Sequence, residues 1–371
     1  MNNHALDRRF MRRAIELAEK GIFSTDPNPR VGCVFVQNDQ IIAEGWHEKT
    51  GESHAEAMAI EGCKESLKGS TCYVTFEPCS HHGRTSPCSD ALIKVGVSRV
   101  VVAMEDPNPQ VSGKGISRLQ KAGLTLDVGL MESESRELNP GFIKRMQTGL
   151  PWVICKMAMS IDGRTAMASG ESQWITCERS RQEIQLLRAR SSAVITGSGT
   201  VNIDNPSMNA RQDQFPSSYK KESEIVQPWR VIMDSQLSVS PSANIFKLPG
   251  KVIWVTTQEV DQSKNNEQLT YLKIEAGEDG RIRPDLLLKW LADQGCNEVM
   301  IEAGAKLSGA FIKADLVDRL VIYMAPKILG DRARGLLELP GLEKLSEAKQ
   351  FKLINVRVSG ADLCMTYERE M

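Results

Sequence analysis

Short apolar runs that alternate with helical patterns limit most narrowly what this chain can fold into. The strand-like runs of its front part are residues 31–36, 40–46, 71–76 and 99–104, and helical patterns cover residues 54–63 and 89–95. The first two runs flank Gln37-Asn38-Asp39, which predicts a β-hairpin. Strands that alternate with helices pack as layers, so the front part predicts an α/β fold.

The same alternation restarts near Trp152 and predicts a second α/β domain. Its strand-like runs are residues 152–160, 192–200, 229–235, 251–257, 298–304 and 319–326, with helical patterns at 178–189 and 284–294 and a polar surface loop at 211–226. Between the two parts, residues 141–151 end in Gly-Leu-Pro, which predicts a linker. We therefore predict domains at residues 1–148 and 149–371, in agreement with the usual size of a domain.

Charge and hydropathy argue against several classes of protein. The formal net charge is −1, so no global field attracts the chain to nucleic acid or to an anionic membrane. No run approaches the roughly 18 apolar residues of a membrane span. Near the N-terminus, apolar residues recur at helical spacing, at Phe10, Ala14, Leu17 and Ala18. They predict an amphipathic helix and not a signal peptide.

The nine cysteines are scattered along the chain. In the absence of an export signal, we expect a cytoplasmic protein whose cysteines are metal ligands or buried thiols and not disulfides. Histidine is distributed unevenly, because all five histidines lie within the first 82 residues. Any imidazole chemistry therefore belongs to the front part.

A zinc site is predicted by His54-Ala55-Glu56, which is followed by Glu77-Pro78-Cys79 and by Cys88. One imidazole and two thiolates bind zinc and leave a fourth position open for water, as a catalytic site requires. Bound zinc lowers the pKa of that water to about 7. Glu56 lies two residues from the histidine. We expect its carboxylate to reach the same water and to carry a proton to a leaving amine.

The two cysteines are spaced more widely than in the Pro-Cys-x-x-Cys signature of zinc nucleobase deaminases. Here the eight residues 80–87 lie between Cys79 and Cys88. We expect this insert to project over the site and to contact substrate. Two other interpretations stay open. The cysteines could be buried thiols without a metal, or the site could be a closed structural one with His81 or His82 as its fourth ligand, which leaves the glutamate without a role.

The segments DPNPRVGCV, HAEA and EPCSHHGRTSPC resemble the deaminase domain of a bifunctional riboflavin-biosynthesis family. This is the diaminohydroxyphosphoribosylaminopyrimidine deaminase/5-amino-6-(5-phosphoribosylamino)uracil reductase family. The resemblance covers about residues 5–150 and implies a cytidine-deaminase-like three-layer α/β/α domain. It implies one zinc ion at His54, Cys79 and Cys88, with Glu56 as the proton donor.

The same resemblance implies that Asn28, His47 and His82 lie around the pyrimidine. Asn28 occupies a Pro-Asn-Pro turn, so turn chemistry alone explains it equally well. His47 follows a strand-like run, and it could be a surface histidine.

An anion site is indicated in the rear part, where residues 301–309 read Ile-Glu-Ala-Gly-Ala-Lys-Leu-Ser-Gly and join a strand to a helix. A glycine-containing turn at a helix start directs backbone N–H groups and the positive end of the helix dipole toward an anion such as pyrophosphate. The segment matches neither a G-x-G-x-x-G fingerprint nor a Walker loop, so an ordinary strand–helix turn stays an alternative.

With SIDGRTA, SGESQWIT and Thr200…Asp204-x-Pro206, this segment resembles the reductase domain of the same family over about residues 151–368. That domain is similar in fold to dihydrofolate reductase, an α/β protein. The resemblance implies NADPH contacts at Ala158, Trp174, Thr200, Asp204, Ser235, Gly304, Ala305, Lys306, Leu307, Ser308, Gly309 and Ala310. It implies substrate contacts at Ser172, Arg188, Met208, Arg211 and Glu302.

The types of residue in these assignments suit the chemistry that the resemblance implies. Arginine suits the 5-phosphate of a ribotide, although Arg188 and Arg211 could instead be solvated surface. Hydride transfer is the chemistry of the cofactor, for which the protein supplies orientation and electrostatics. Lys156, Asp204 and Glu302 are the candidate polar groups near the reacting sugar carbon, and the sequence does not rank them.

The resemblance thus implies a bifunctional enzyme. Zinc-dependent hydrolytic deamination of 2,5-diamino-6-(5-phosphoribosylamino)pyrimidin-4(3H)-one would precede NADPH-dependent reduction of the ribosyl side chain of 5-amino-6-(5-phosphoribosylamino)uracil to ribityl. It also implies a homo-oligomer, a dimer or tetramer, that binds small molecules and neither nucleic acid nor membrane. A nucleic-acid or nucleoside deaminase with an unrelated tail is one alternative, and a zinc-stabilised scaffold or binding module is another.

Overall fold

The computed structural model describes residues 3–80, 86–109, 111–217, 219 and 225–370. The chain divides into two compact units, Met1–Gly149 and Leu150–Met371. The predicted linker is wrong for most of its length, because a helix covers Pro140–Thr148 and ends at Gly149, which has a φ of 70°. Among the described residues, no helix is both long enough and apolar enough to span a membrane.

The N-terminal unit is built around one mixed sheet. In chain order its elements are α1 (Asn3–Glu19), β1 (Gly32–Gln37), β2 (Gln40–Trp46), α2 (Ala55–Gly62), β3 (Thr71–Val74), α3 (Cys88–Val95), β4 (Arg99–Val102), α4 (Lys114–Lys121), β5 (Thr125–Val128), α5 (Glu132–Leu138) and α6 (Pro140–Thr148). The strand order is β2-β1-β3-β4-β5. Strand β1 is antiparallel to both of its neighbours, and β3, β4 and β5 are parallel.

Helices cover both faces of this sheet, which confirms the predicted three-layer α/β/α architecture. Helix α1 packs on one face through Phe10 and Ala14, with Leu138 of α5 in the same apolar cluster. Ala59 of α2 and Leu92 of α3 pack in the cluster on the other face. The apolar spacing of the N-terminal segment therefore predicted the buried side of α1 correctly.

The C-terminal unit is built around a larger sheet. Its elements are β6 (Trp152–Ser160), β7 (Arg164–Ala166), α7 (Glu178–Arg190), β8 (Ala193–Gly197), α8 (Ser198–Asp204), β9 (Trp229–Met233), β10 (Val252–Thr256), β11 (Leu269–Lys273), α9 (Pro284–Asp293), β12 (Glu298–Ile301), α10 (Ala305–Lys313), β13 (Arg319–Ala325), β14 (Arg334–Gly335), β15 (Phe351–Ser359) and β16 (Asp362–Arg369). The strand order is β11-β10-β9-β8-β12-β6-β13-β16-β15. All pairs from β11 to β13 are parallel, and β16 pairs antiparallel with β13 and β15.

Two apolar clusters lie on the two faces of this larger sheet. Leu287 of α9 and Phe311 of α10 belong to one cluster, and Ile184 of α7 and Val201 of α8 belong to the other. The unit is therefore an α/β layer structure, as predicted.

Three details of the sequence prediction are corrected. The strand predicted at residues 192–200 ends at Gly197, and residues 198–204 form helix α8. The polar loop at 211–226 includes a short 3₁₀ turn at Gln212–Gln214, and part of it lies outside the described residues. The antiparallel strands β15 and β16 were not predicted.

Close packing of α1 on β1 requires a glycine at position 32. A Cβ atom added to Gly32 would lie 1.9 Å from the carbonyl oxygen of Ala14 and 2.7 Å from the backbone nitrogen of Ala18. Both obstacles are backbone atoms of a helix, so a side-chain rotation cannot relieve the clash.

We expect Gly32→Ala to destabilise the N-terminal unit by about 3 kcal/mol, because α1 has to move away from the sheet. Gly62→Ala is the matched control, since nothing lies within 4 Å of the added Cβ atom. The control should be neutral or more stable by at most about 1 kcal/mol, because alanine favours a helix. Calorimetry of the full-length variants measures both effects, and equal melting temperatures would contradict the proposed packing.

Candidate active sites

The three predicted zinc ligands meet at one point of the N-terminal unit. His54 directly precedes α2, Cys88 is the first residue of α3, and Cys79 lies in the segment after β3. The Nδ1 atom of His54 is 3.6 Å from Sγ of Cys79 and 3.4 Å from Sγ of Cys88. Ligands about 2.0–2.3 Å from a tetrahedral zinc ion are separated by about 3.3–3.8 Å, so these residues fit the metal in kind and spacing.

Glu56 lies beside this group, in the first turn of α2, and is 3% exposed. Burial, followed by the nearby Cys79, raises the pKa of Glu56. Hydrogen bonds from Cys88 and then from His54 lower the pKa of Cys79 to about 4. The bond to Cys79 raises the pKa of Cys88. Cysteine binds a metal as the thiolate, so a hydrogen bond that favours the thiolate of Cys79 also favours metal binding.

Asn28 and His47 are hydrogen-bonded to each other next to the predicted metal ligands. Nδ2 of Asn28 is 3.1 Å from Nε2 of His47, and Nδ1 of His47 is 3.1 Å from the carbonyl oxygen of Ser53. His47 is 3% exposed, so it is not a surface histidine, and its ring centre lies 5.5 Å from that of His54. Burial lowers the pKa of His47. His81 and His82 lie outside the described residues.

Glu77, which the sequence analysis quoted without assigning a role, is a buried carboxylate close to this site. It is 5% exposed and accepts hydrogen bonds from four backbone N–H groups, those of Asp106, Gly113, Gly115 and Ile116. Its place directly before Pro78-Cys79 was the only signal available in the sequence.

In the C-terminal unit, three charged side chains form a partly buried cluster. The guanidinium of Arg188 donates to both carboxylate oxygens of Glu302, at 2.8 and 3.0 Å. Nζ of Lys156 lies 3.3 Å from Oε1 of the same carboxylate. Arg188 also donates to the carbonyl oxygen of Asn209 at 3.1 Å. Arg188 is therefore part of a structured cluster and not solvated surface.

The charges of this cluster determine how its members ionise. Burial opposes ionisation of Glu302, but the positive charges of Arg188 and Lys156 outweigh it and lower the pKa of Glu302 to about 2. Partial desolvation and then the charge of Arg188 lower the pKa of Arg211. The backbone N–H of Arg211 donates to Oε1 of Gln185 at 3.0 Å. An anion beside Arg188 and Arg211 would relieve the repulsion between them.

The predicted anion turn has the expected position but is shorter than expected. Gly304 directly precedes α10, and residues 305–310 already belong to the helix. Ser308 is buried and donates to the carbonyl oxygen of Ala303. A Cβ atom on Gly309 would lie 2.1 Å from the carbonyl oxygen of Glu338, so this glycine serves close packing. The exposed residues are Gly304 and Lys306.

Strand ends bring most of the other predicted cofactor residues to one edge of the sheet. Thr200 lies in α8, directly after β8, and Ser235 follows β9. Ala158 lies in the last part of β6. Strands β6, β12, β8 and β9 are neighbours and parallel, so their carboxyl ends share an edge, where ligands of open α/β sheets bind.

Four further predicted residues have distinct surroundings. Partial desolvation raises the pKa of Asp204, and the nearby Ser172 opposes this rise. Trp174 is 61% exposed, and the guanidinium of Arg181 lies 4.8 Å from its ring centre. Met208 is 2% exposed and belongs to an apolar cluster, so its side chain is committed to the core.

Comparison with known proteins assigns each unit to a described family. The RibD C-terminal domain matches residues 151–365, and the cytidine and deoxycytidylate deaminase zinc-binding region matches residues 4–104. The riboflavin biosynthesis protein RibD of Escherichia coli is 48% identical over 97% of this chain and 98% of that protein. The protein of the same name from Haemophilus influenzae is 46% identical over 96% of each chain.

Solved structures agree over the whole chain. Acinetobacter baumannii RibD has a TM-score of 0.91 at 40% identity, with 100% of both chains covered. A diaminohydroxyphosphoribosylaminopyrimidine deaminase/5-amino-6-(5-phosphoribosylamino)uracil reductase from Thermotoga maritima has a TM-score of 0.88 at 33% identity, also with 100% of both chains covered. The resemblance carried by the sequence motifs is confirmed, and the chain belongs to the RibD family of riboflavin-biosynthesis proteins, with a deaminase domain followed by a reductase domain.

Proposed function

We propose that this chain catalyses two successive steps of riboflavin biosynthesis. Its N-terminal unit hydrolytically deaminates 2,5-diamino-6-(5-phosphoribosylamino)pyrimidin-4(3H)-one. Its C-terminal unit then reduces the ribosyl side chain of 5-amino-6-(5-phosphoribosylamino)uracil to ribityl with NADPH. The observation that carries the proposal is the meeting of His54, Cys79 and Cys88 beside the buried Glu56, in a chain whose other unit matches the RibD reductase domain.

Zinc is assigned to His54, Cys79 and Cys88, whose ligand atoms all lie within 4.8 Å of one another. Bound there, zinc supplies Lewis acidity that makes a water molecule a better nucleophile at neutral pH. Glu56 does not belong to this ligand group, so its carboxylate is available to hold a proton. It accepts a proton from the water and donates it to the departing amino group.

Asn28 and His47 are assigned to recognition of the pyrimidine. His47 donates from Nδ1 to Ser53 and accepts from the Asn28 amide at Nε2, so both nitrogens of the ring have partners. This pairing orients the Asn28 amide, whose carbonyl oxygen can then accept from an amino or ring N–H group of the substrate. We assign His82, in the insert between the cysteines, as a third contact.

In the reductase unit, NADPH supplies the hydride when it is bound. Glu302 has a pKa of about 2 and is therefore ionised at neutral pH, so it does not donate the proton that reduction requires. It orients Arg188 and the ammonium group of Lys156 instead. Lys156 and Asp204 stay as the candidate proton donors. Ser172 and the backbone of Met208, whose side chain is buried, complete the proposed substrate contacts.

Arg211 is the better of the two arginines for the ribotide phosphate. The guanidinium nitrogens of Arg188 already donate to Glu302 and to Asn209. Arg211 is exposed and is repelled by Arg188, so a phosphate dianion there would neutralise an unfavourable pair of charges.

The NADPH site is assigned to the carboxyl edge of the sheet. The start of α10, with Gly304 and the backbone N–H groups that follow it, suits the pyrophosphate. The remaining proposed contacts are Ala158, Trp174, Thr200, Asp204, Ser235 and the α10 residues Ala305 through Ala310.

We also propose a cytoplasmic homo-oligomer, a dimer or tetramer. None of the nine cysteines, which all lie among the described residues, forms a disulfide, as expected in a reducing compartment. Strand β15 lies at an edge of the sheet and exposes Leu353, Val356 and Val358, apolar side chains that a second copy of the chain could cover.

Replacement of Glu56 separates proton transfer from metal binding. We expect Glu56→Gln to keep zinc, to slow deamination by about 10²- to 10⁴-fold and to leave reduction of already deaminated substrate intact. Zinc content, ammonia release and NADPH oxidation measure the three effects. Glu61→Gln, an exposed position on the same helix, is the matched control and should retain both activities. Undiminished deamination by Glu56→Gln would contradict the assignment.

Removal of one thiolate tests the metal site itself. Cys88→Ser should lower the zinc content and abolish deamination, because the remaining two donors bind zinc weakly. Cys63→Ser, a half-buried cysteine of the same unit outside the ligand group, should retain zinc. NADPH oxidation should persist in both variants if the two units fold independently. A zinc content in Cys88→Ser equal to that of the unaltered enzyme would refute the proposed site.

Replacement of Arg211 tests phosphate recognition. We expect Arg211→Gln to raise the KM of the reductase substrate about 10- to 100-fold with little change in kcat, since one charge-assisted hydrogen bond contributes about 1.5–3 kcal/mol. The dephosphorylated substrate should not distinguish the variant from the unaltered enzyme. Arg319→Gln, at the opposite end of the parallel strands, is the control. An unchanged KM would exclude Arg211 as the phosphate ligand.

A further inference from the structure

We propose that Glu77 is a positioning residue that holds the zinc ligand Cys79 in place, an inference that rests on the zinc site proposed above. Glu77 lies two residues before Cys79 and is 5% exposed. A buried carboxylate is costly unless its oxygens are hydrogen-bonded, so its partners show what it is for.

Both oxygens of Glu77 are fully used by backbone donors. Oε1 accepts from Gly115 at 2.8 Å and from Ile116 at 3.2 Å. Oε2 accepts from Asp106 at 3.1 Å and from Gly113 at 3.0 Å. With four N–H groups on its two oxygens, this carboxylate is not placed to exchange protons with a substrate. It also lies outside the metal-ligand group of the described residues.

The bonds to Gly115 and Ile116 cap helix α4 from a distant part of the chain. The helix has no side-chain cap of its own, because Gly113 occupies the N-cap position. The first N–H groups of a helix lack partners within it, and a negative charge there is favourable. Glu77 satisfies these groups, and in return the start of α4 holds Glu77.

Direct packing strengthens the same connection. A Cβ atom added to Gly115 would lie 1.9 Å from the carbonyl oxygen of Pro78. The first turn of α4 therefore touches the peptide unit between Pro78 and Cys79. The glycine permits this contact, and the Glu77 carboxylate fixes it.

Helix α3 holds Cys79 from the other side. The backbone N–H and the hydroxyl of Ser89 donate to the carbonyl oxygen of Cys79 at 3.1 and 3.0 Å. The backbone N–H of Cys88 donates to Sγ of Cys79 at 3.3 Å. These bonds hold Cys79 in a fixed position relative to Cys88, whereas Glu77 fixes the backbone that leads into Cys79. Without Glu77, Cys79 loses the restraint on its N-terminal side.

The test is the rate at which full-length Glu77→Gln releases zinc to a coloured chelator. Glutamine has the shape of glutamate, but its NH₂ group would face two N–H donors in place of an acceptor. Mutation of a residue that orients a metal ligand typically costs about 10- to 100-fold in metal affinity or activity. We expect zinc release to be faster by that factor. The kcat of deamination should fall with little change in KM, and NADPH oxidation should be unchanged.

Cobalt substitution gives a readout that a loss of stability alone would not move. The visible absorption of Co²⁺ at this site depends on its ligand geometry, so Glu77→Gln should change the spectrum. Asp7→Asn is the matched control, because Asp7 is a partly buried carboxylate of the same unit that bonds to Tyr73 and Arg99 and not to the site. It should lower the melting temperature without changing zinc release or the cobalt spectrum.

Gly115→Ala tests the same contact from the side of α4 and serves if Glu77→Gln folds poorly. Its added methyl group would press on Pro78, so it should also release zinc faster. The inference would be overturned if Glu77→Gln released zinc at the rate of the unaltered enzyme and had the same cobalt spectrum. If Glu77→Gln folds poorly, the same result in Gly115→Ala would overturn it. The Cys88→Ser variant separates the two proposals: if it keeps zinc, the site itself is wrong, and if it loses zinc while Glu77→Gln does not release it faster, only the role of Glu77 is wrong.

Discussion

The proposed zinc site of the deaminase domain depends on backbone hydrogen bonds that bring three side chains together. His54 and Cys88 lie where α2 and α3 begin, so each is held by the first turn of a helix. Cys79 has no helix of its own, and its carbonyl oxygen is bound by Ser89 of α3. The ligands therefore meet only after both helices have packed on the sheet. Glu77 and α4 complete the arrangement from the other side of Cys79.

The two candidate active sites differ in how their surroundings shift the pKa of ionisable side chains. In the deaminase unit, burial is the largest influence on Glu56 and His47, and it raises the pKa of Glu56 and lowers that of His47. In the reductase unit, Glu302 keeps its charge because Arg188 and Lys156 surround it. The proton transfer proposed for Glu56 benefits from an environment that does not strongly favour its charged form, whereas the cation-orienting role proposed for Glu302 requires an ionised carboxylate.

Much of the fold could be predicted from apolar periodicity, and the failures have physical causes. Strands β6 and β13 are buried, so their runs stand out, whereas β15 is largely exposed and was missed. Helix α8 follows β8 without a break, which extended the predicted strand too far. Helix α4 has no capping side chain next to it in the sequence. The carboxylate that caps it belongs to Glu77, which lies 38 residues before Gly115.

The sequence by itself indicated the chemistry of the proposed metal site, because zinc selects its donors by type and His54, Cys79 and Cys88 are of that type, with Glu56 two residues after the histidine. It also determined the family and the two α/β units. Only the tertiary structure decided that Asn28 is hydrogen-bonded to His47 and that Glu302 pairs with Arg188, 114 residues earlier in the chain. It also decided the backbone contacts of Glu77 from which we infer its support of Cys79. Periodicity reports which side of one element is buried, whereas contacts between distant side chains depend on the order in which strands and helices pack.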